Sequence, residues 1–89
     1  SLFVQVNEFG TKLLPAVPPS LTDWNFDNLL CHDGVRVSAC CEQGVVTALN
    51  VVSPKEQTWS AVICGKGRNI PITVDLEPYV RVSLLPWLD

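Results

Sequence analysis

Gly34-Val35-Arg36-Val37-Ser38-Ala39-Cys40, followed across Glu42-Gln43-Gly44 by Val45-Val46-Thr47-Ala48-Leu49-Asn50-Val51-Val52, is the stretch that commits this chain to a sheet. Val35, Val37 and Ala39 alternate with Arg36 and Ser38, the two-residue period of a strand with one face buried. The second run is more continuously apolar, as expected of a strand nearer the middle of a sheet. The short glycine-containing turn between them makes the pair a hairpin.

Toward the C-terminus the same logic repeats. Ser53-Pro54-Lys55-Glu56 interrupts the pattern, and Thr58 to Cys64 resumes it with Trp59, Ala61 and Ile63 on one face. Gly65-Lys66-Gly67-Arg68-Asn69 reads as a flexible turn, Ile70 to Leu76 as a strand placed at an edge or near its start by Pro71, and Tyr79 to Leu85 as a last strand. Toward the N-terminus, Leu2 to Val6 reads as a first strand broken by Gly10. Thr11 to Pro19 carries Pro15, Pro18 and Pro19 and is expected to be a connector or irregular edge, not a central strand. Ser20 opens the one candidate helix. Asp23 follows as a capping-box echo, Leu21, Trp24, Leu29 and Leu30 share a stripe, and Gly34 ends it, although Asn25, Phe26 and Asn28 are indifferent helix formers. Together these give an α+β class: an antiparallel sheet of five or six short strands with one short helix. The expectation is a single domain, with 1–19 as N-terminal strand and Pro-rich connector and 20–89 as the core.

The 89 residues are 47% hydrophobic and 17% charged with a net charge of -3, within the range of ordinary globular domains. That balance argues against tight non-specific nucleic-acid binding, which rests on a basic excess. No apolar run approaches the ~20 residues of a membrane-spanning helix. Methionine is absent, and the chain runs from Ser1 straight into apolar residues and closes on Leu85-Pro86-Trp87-Leu88-Asp89. The expectation is a monomeric piece of a longer chain, with Trp87 as an interface residue toward a neighbouring domain.

Four cysteines, Cys31, Cys40, Cys41 and Cys64, leave three readings open. Buried free thiols are the simplest. Two disulfides would suit the even count, but Cys40 and Cys41 are adjacent in a strand and face opposite ways. A zinc site would need Cys31, His32, Cys40, Cys41 and Cys64 without any Cys-x-x-Cys pair, so no metal and no cofactor is expected.

Catalytic material is thin, and the expectation is a non-enzyme. His32 is the only histidine, between Cys31 and Asp33, and is expected to lie on the surface at the helix C-terminus; a thiol such as Cys41 or Cys64 reaching it in the fold would be the only nucleophile pair available. Asp23, Asp27, Asp33, Asp75, Glu77 and Asp89 are scattered among turns. Donors concentrate only at Lys66, Gly67, Arg68 and Asn69, where outward amides and two cations suit a phosphate or a single-stranded RNA backbone. The spacing is not that of a nucleotide loop, and a solvated hairpin tip accounts for the same residues. Trp24, Trp59 and Trp87 could stack bases or serve a core.

Asp23-Trp24-Asn25-Phe26, Gly34-Val35-Arg36-Val37, Val45-Val46, Leu49 and Ser53-Pro54 resemble the C-terminal piece of the SARS-unique region of coronavirus replicases, which precedes the ubiquitin-like and papain-like protease modules. The match runs from Asp23 to Pro54, about a third of the chain. It implies a frataxin-like α+β fold in a viral replicase polyprotein of the host cytoplasm. The implied role is a spacer with weak RNA or protein binding, and the implied partners are single-stranded RNA and neighbouring domains of the polyprotein. The sequence after Ser53 departs from that pattern, with further strand-like segments and no closing helix. Trp24, Cys31, Gly34-Val35, Cys40 and Gly44 to Val51 are similar instead to the N-terminal cap of extracellular leucine-rich-repeat proteins, which would imply a secreted, disulfide-bonded recognition domain. No Leu-x-x-Leu-x-Leu repeat follows. Glu77-Pro78-Tyr79-Val80-Arg81-Val82 is similar to one strand of calcium-dependent phospholipid-binding domains, without their acidic loops.

Overall fold

In the computed structural model, which describes residues 1–88, the chain folds as a β-sandwich. The strands are β1 (Val4–Asn7), β2 (Gly10–Leu13), β3 (Trp24–Leu30), β4 (Arg36–Glu42), β5 (Val45–Val52), β6 (Gln57–Gly65), β7 (Arg68–Leu76) and β8 (Val82–Ser83). One sheet has the order β1-β2-β6-β7, the other β3-β4-β5-β8. All pairings are antiparallel except β2 with β6, which run parallel with Thr11 opposite Ala61 and Leu13 opposite Ile63. Among the described residues only two short 3-10 turns, His32–Gly34 and Leu85–Leu88, are helical in any sense.

The α+β expectation is therefore corrected to all-β, and with it the frataxin-like shape. The segment Trp24–Leu30 is an edge strand, and the reason lies in one extra residue. Phe26 pairs with Ala39 and Leu29 with Val37, so Asp27 and Asn28 together face Ser38 in a bulge. Asn28 takes the left-handed φ of 57° that its short polar side chain tolerates, and its amide donates to Ser38 Oγ at 3.0 Å. The bulge moves Leu29 onto the face already used by Trp24 and Phe26. A bulged strand thus imitates the three-and-four spacing of a helix. Neither Ser20 nor Asp23 caps anything helical.

Three further expectations change. Thr11–Leu13 is neither connector nor irregular edge but part of an inner strand between β1 and β6, with Thr11 and Leu13 buried, so the first residues belong to the same sheet as β6. Tyr79 to Leu85 yields only the two-residue β8 before the final 3-10 turn. Among the described residues the strands number eight rather than five or six. The 34–52 hairpin, the inward face of Trp59, Ala61 and Ile63, and the edge position of the Pro71 strand are as the pattern indicates.

Inward residues of the two sheets meet in one core. Leu13, Trp59, Ala61, Ile63, Ile72, Val74 and Leu76 face Val37, Ala39, Leu49 and Val51, with Val35 and Leu84 completing it. Each fully buried aliphatic side chain contributes about 1.5–3 kcal/mol. Along one flank, where β1 and β3 are both edges, Phe3, Trp24 and Phe26 lie with ring centroids 5.0 to 5.9 Å apart. The other flank is covered by Leu85–Leu88, which packs on β5 and β7.

Candidate functional site

The antiparallel turns sort to the two ends of the sandwich. Because β2 runs parallel to β6, the β1–β2 turn lies at the end where β6 begins, and the β6–β7 tip lies at the other. The β4–β5 turn, Gln43-Gly44, shares the end of the β6–β7 tip, since both border one groove.

Both of those tips are two-residue turns with positive φ throughout: 51° and 79° at Gln43 and Gly44, 49° and 74° at Lys66 and Gly67. Such turns match the right-handed twist of the strands they join, and they require a residue able to enter the left-handed region. Glycine at the second position meets that need. Lys66 thus sits in a tight turn and Arg68 directly after it, and neither makes a side-chain hydrogen bond among the described residues. Gly67 and Asn69 are exposed beside them.

Beneath the tips runs a groove of about 470 Å³ between the ends of the two sheets. Val17, Leu21, Trp24, Val46, Ile63 and Ile70 contribute to its lining, with Lys66 and Arg68 at the rim. Pro18 and Pro19 line it too, in a turn of the β2–β3 crossing that is closed by the Leu21 amide donating to Pro18 O at 3.0 Å. Among the described residues no acidic side chain lines this groove, although acids outnumber bases in the chain by 9 to 6. The carboxylate of Asp23, next in sequence to Trp24 of the lining, is already engaged. Asp23 accepts the Gln43 amide at 3.0 Å and the Thr22 hydroxyl at 2.9 Å, and the amide first, then the hydroxyl, hold its pKa below the ordinary value.

The opposite end is built differently. His32 Nδ1 lies 2.6 Å from Thr11 Oγ1, its backbone amide donates to the same oxygen at 3.3 Å, and its ring stacks on Trp59 with centroids 5.1 Å apart. Trp59 Nε1 donates to the His32 carbonyl at 3.3 Å. Gln57 Nε2 donates to Asp33 O at 3.1 Å and to Ser53 Oγ at 2.8 Å. His32 is therefore not a surface residue at a helix end but the hub that ties the β3–β4 turn to the other sheet. That hub could not be read from the sequence, where Thr11, His32 and Trp59 are far apart.

The thiols lie in separate environments. Cys31 and Cys41 are buried and Cys40 and Cys64 half-buried, all unpaired. Burial pushes the Cys31 thiol up to about 11, partly offset by Thr11, and burial followed by the Asp23 charge also raises Cys41. Neither is an activated nucleophile. Among the described residues no group of three or more His, Cys, Asp or Glu side chains is arranged to hold a metal ion. Trp59 is core, Trp24 faces the groove, and Trp87 is about one-third exposed at the final turn. Asp89 lies outside the described residues. Among the described residues no helix is long and apolar enough to cross a membrane. Comparison with protein-family models, with curated proteins and with solved structures returns no match.

Proposed function

We propose that the chain is a non-catalytic recognition module that takes a protein partner at the groove end, by seating an apolar side chain in the groove while acidic groups meet Lys66 and Arg68. The observation that carries this reading is the coincidence of two uncommitted cations with the apolar groove, on a chain that is otherwise net acidic. Catalysis is not part of the proposal: the single histidine is engaged by Thr11 and Trp59, and the two buried thiols are held protonated.

Single-stranded RNA, the partner suggested by the basic turn, is the weaker occupant. Two cations neutralise few phosphates, and Trp24 is already stacked on Phe26 at 5.9 Å rather than presented as an open platform. The fold also lends no support to the replicase resemblance, which implied a frataxin-like domain. The secreted alternative of a leucine-rich-repeat cap gains nothing from four unpaired thiols.

NMR titration of the labelled protein decides between occupants. A short peptide containing phenylalanine flanked by glutamates should shift Lys66, Gly67, Arg68 and Asn69 together with Trp24 and Val46. Shifts at the same residues with pyrimidine-rich or purine-rich oligonucleotides, and none with the peptide, would overturn the protein reading in favour of RNA.

A further inference from the structure

At the end away from the groove, Phe9 is 91% exposed, the most exposed large apolar side chain among those described. A two-residue turn between β1 and β2 holds it there. Asn7 Oδ1 accepts the Phe9 amide at 2.8 Å, and Gly10 closes the turn with φ 116°. The ring is thus set at a braced tip, with Glu8 beside it, also exposed. An aromatic ring left wholly in water at a shaped turn forgoes the burial that dominates interface energetics.

We infer that this tip is the natural occupant of the groove in a second copy of the chain, so that copies join end to end. The inference rests on the recognition reading of the groove given above and names its partner. Two complementarities support it: Phe9 matches the apolar lining, and Glu8 matches the Lys66 and Arg68 rim, where no described acid competes. The two surfaces lie at opposite ends of one molecule, so the contact is heterologous. Occupying one copy's groove leaves the partner's groove open, and association continues without a fixed endpoint. The contact is small, one side chain and its turn, so the association is weak, and salt screens its ionic part.

Sedimentation velocity across a concentration series is the test, because the two halves of the contact can be broken separately. Wild type should show a weight-average sedimentation coefficient that climbs steadily with concentration and falls back when salt is added. Phe9→Ala and the double variant Lys66→Glu/Arg68→Glu should each stay monomeric while remaining folded, since all three side chains are exposed. Mixing the two variants should restore association but stop at one-to-one pairs, one intact tip in one intact groove. Wild type that stays monomeric at millimolar concentration, or a mixture that does not pair, would overturn the inference. If the glutamate-flanked phenylalanine peptide still shifted the groove in that case, only the self-association would fall; if it did not, the groove reading would fall with it.

Discussion

The two ends of this sandwich are closed by different physics. At the His32 end the crossing segments are cross-linked by polar groups: Thr11 to His32, Trp59 to the His32 carbonyl, and Gln57 to both Asp33 and Ser53. Every fully buried side-chain nitrogen or oxygen among the described residues has a partner. At the groove end, the links among the described residues are fewer and local, such as the Gly44 amide to Thr22 O, the Gln43 amide to Asp23 and the Cys41 thiol to Thr22 O, and the sheets part over apolar side chains. The first end spends its polar groups on itself; the second leaves Lys66 and Arg68 for something else. Stability and recognition should therefore be separable by substitution.

The largest effect should come from Trp59→Ala. The side chain is 1% exposed, supports the His32 ring and donates to its carbonyl, so its loss should cost about 3–5 kcal/mol, read as a lower urea midpoint. Trp24→Ala, on the half-open side, should cost clearly less. Equal losses would break the contrast between the ends.

Thr11→Val comes next. It keeps the shape but strands the His32 amide and Nδ1, for about 1–3 kcal/mol, with no change in peptide binding at the groove. Gly34→Ala follows, at about 1–2 kcal/mol. Its φ is 75°, and a Cβ would meet Pro54 Cγ at 3.0 Å, whereas Gly44 at φ 79° has nothing within 4 Å. Gly44→Ala should cost less, and the difference between the two measures the tighter packing of the His32 end.

Alkaline pH gives a further handle on that end. Cys31 titrates at about 11 in the fold against 9.0 when unfolded, because burial disfavours the thiolate. The unfolded chain releases this proton first, so the stability the protonated thiol contributes is fully present below pH 9 and declines as pH rises toward 11. Cys41, also raised, adds in the same direction. Urea midpoints measured from pH 8 to 11 should fall, and the slope should lessen in Cys31→Ala. The smallest effect on stability belongs to Lys66→Ala/Arg68→Ala: within about 0.5 kcal/mol of wild type, yet with binding of the acidic peptide lost.

What the sequence made legible divides along the same line. Strands that alternate without interruption, from Val35 to Ala39 and from Thr58 to Cys64, show their inward faces in the order of residues alone. Trp24–Leu30 does not, because a bulge at Asp27 and Asn28 changes the phase halfway and leaves a spacing that a helix would also produce. The indifferent helix formers Asn25, Phe26 and Asn28 were the available clue. Thr11–Leu13 was hidden by the prolines that follow it, and its partner strand lies far along the chain. The basic tip was visible because turn chemistry is local. The groove beneath it was not, since Val17, Trp24, Val46 and Ile63 are assembled only by the packing of two sheets.

The parallel pairing of β2 with β6 also sets an order of events. Thr11 must find Ala61, a contact about fifty residues apart, and the whole β3–β4–β5 meander lies between them. Contacts of that span slow folding, because loop-closure entropy is lost before any bond repays it. The β1–β2 hairpin, which precedes β6 in the sequence, is only marginally stable alone and keeps an open edge until β6 is available. Docking of β1 and β2 onto β6 should therefore be slow, and it should be the step at which refolding competes with aggregation.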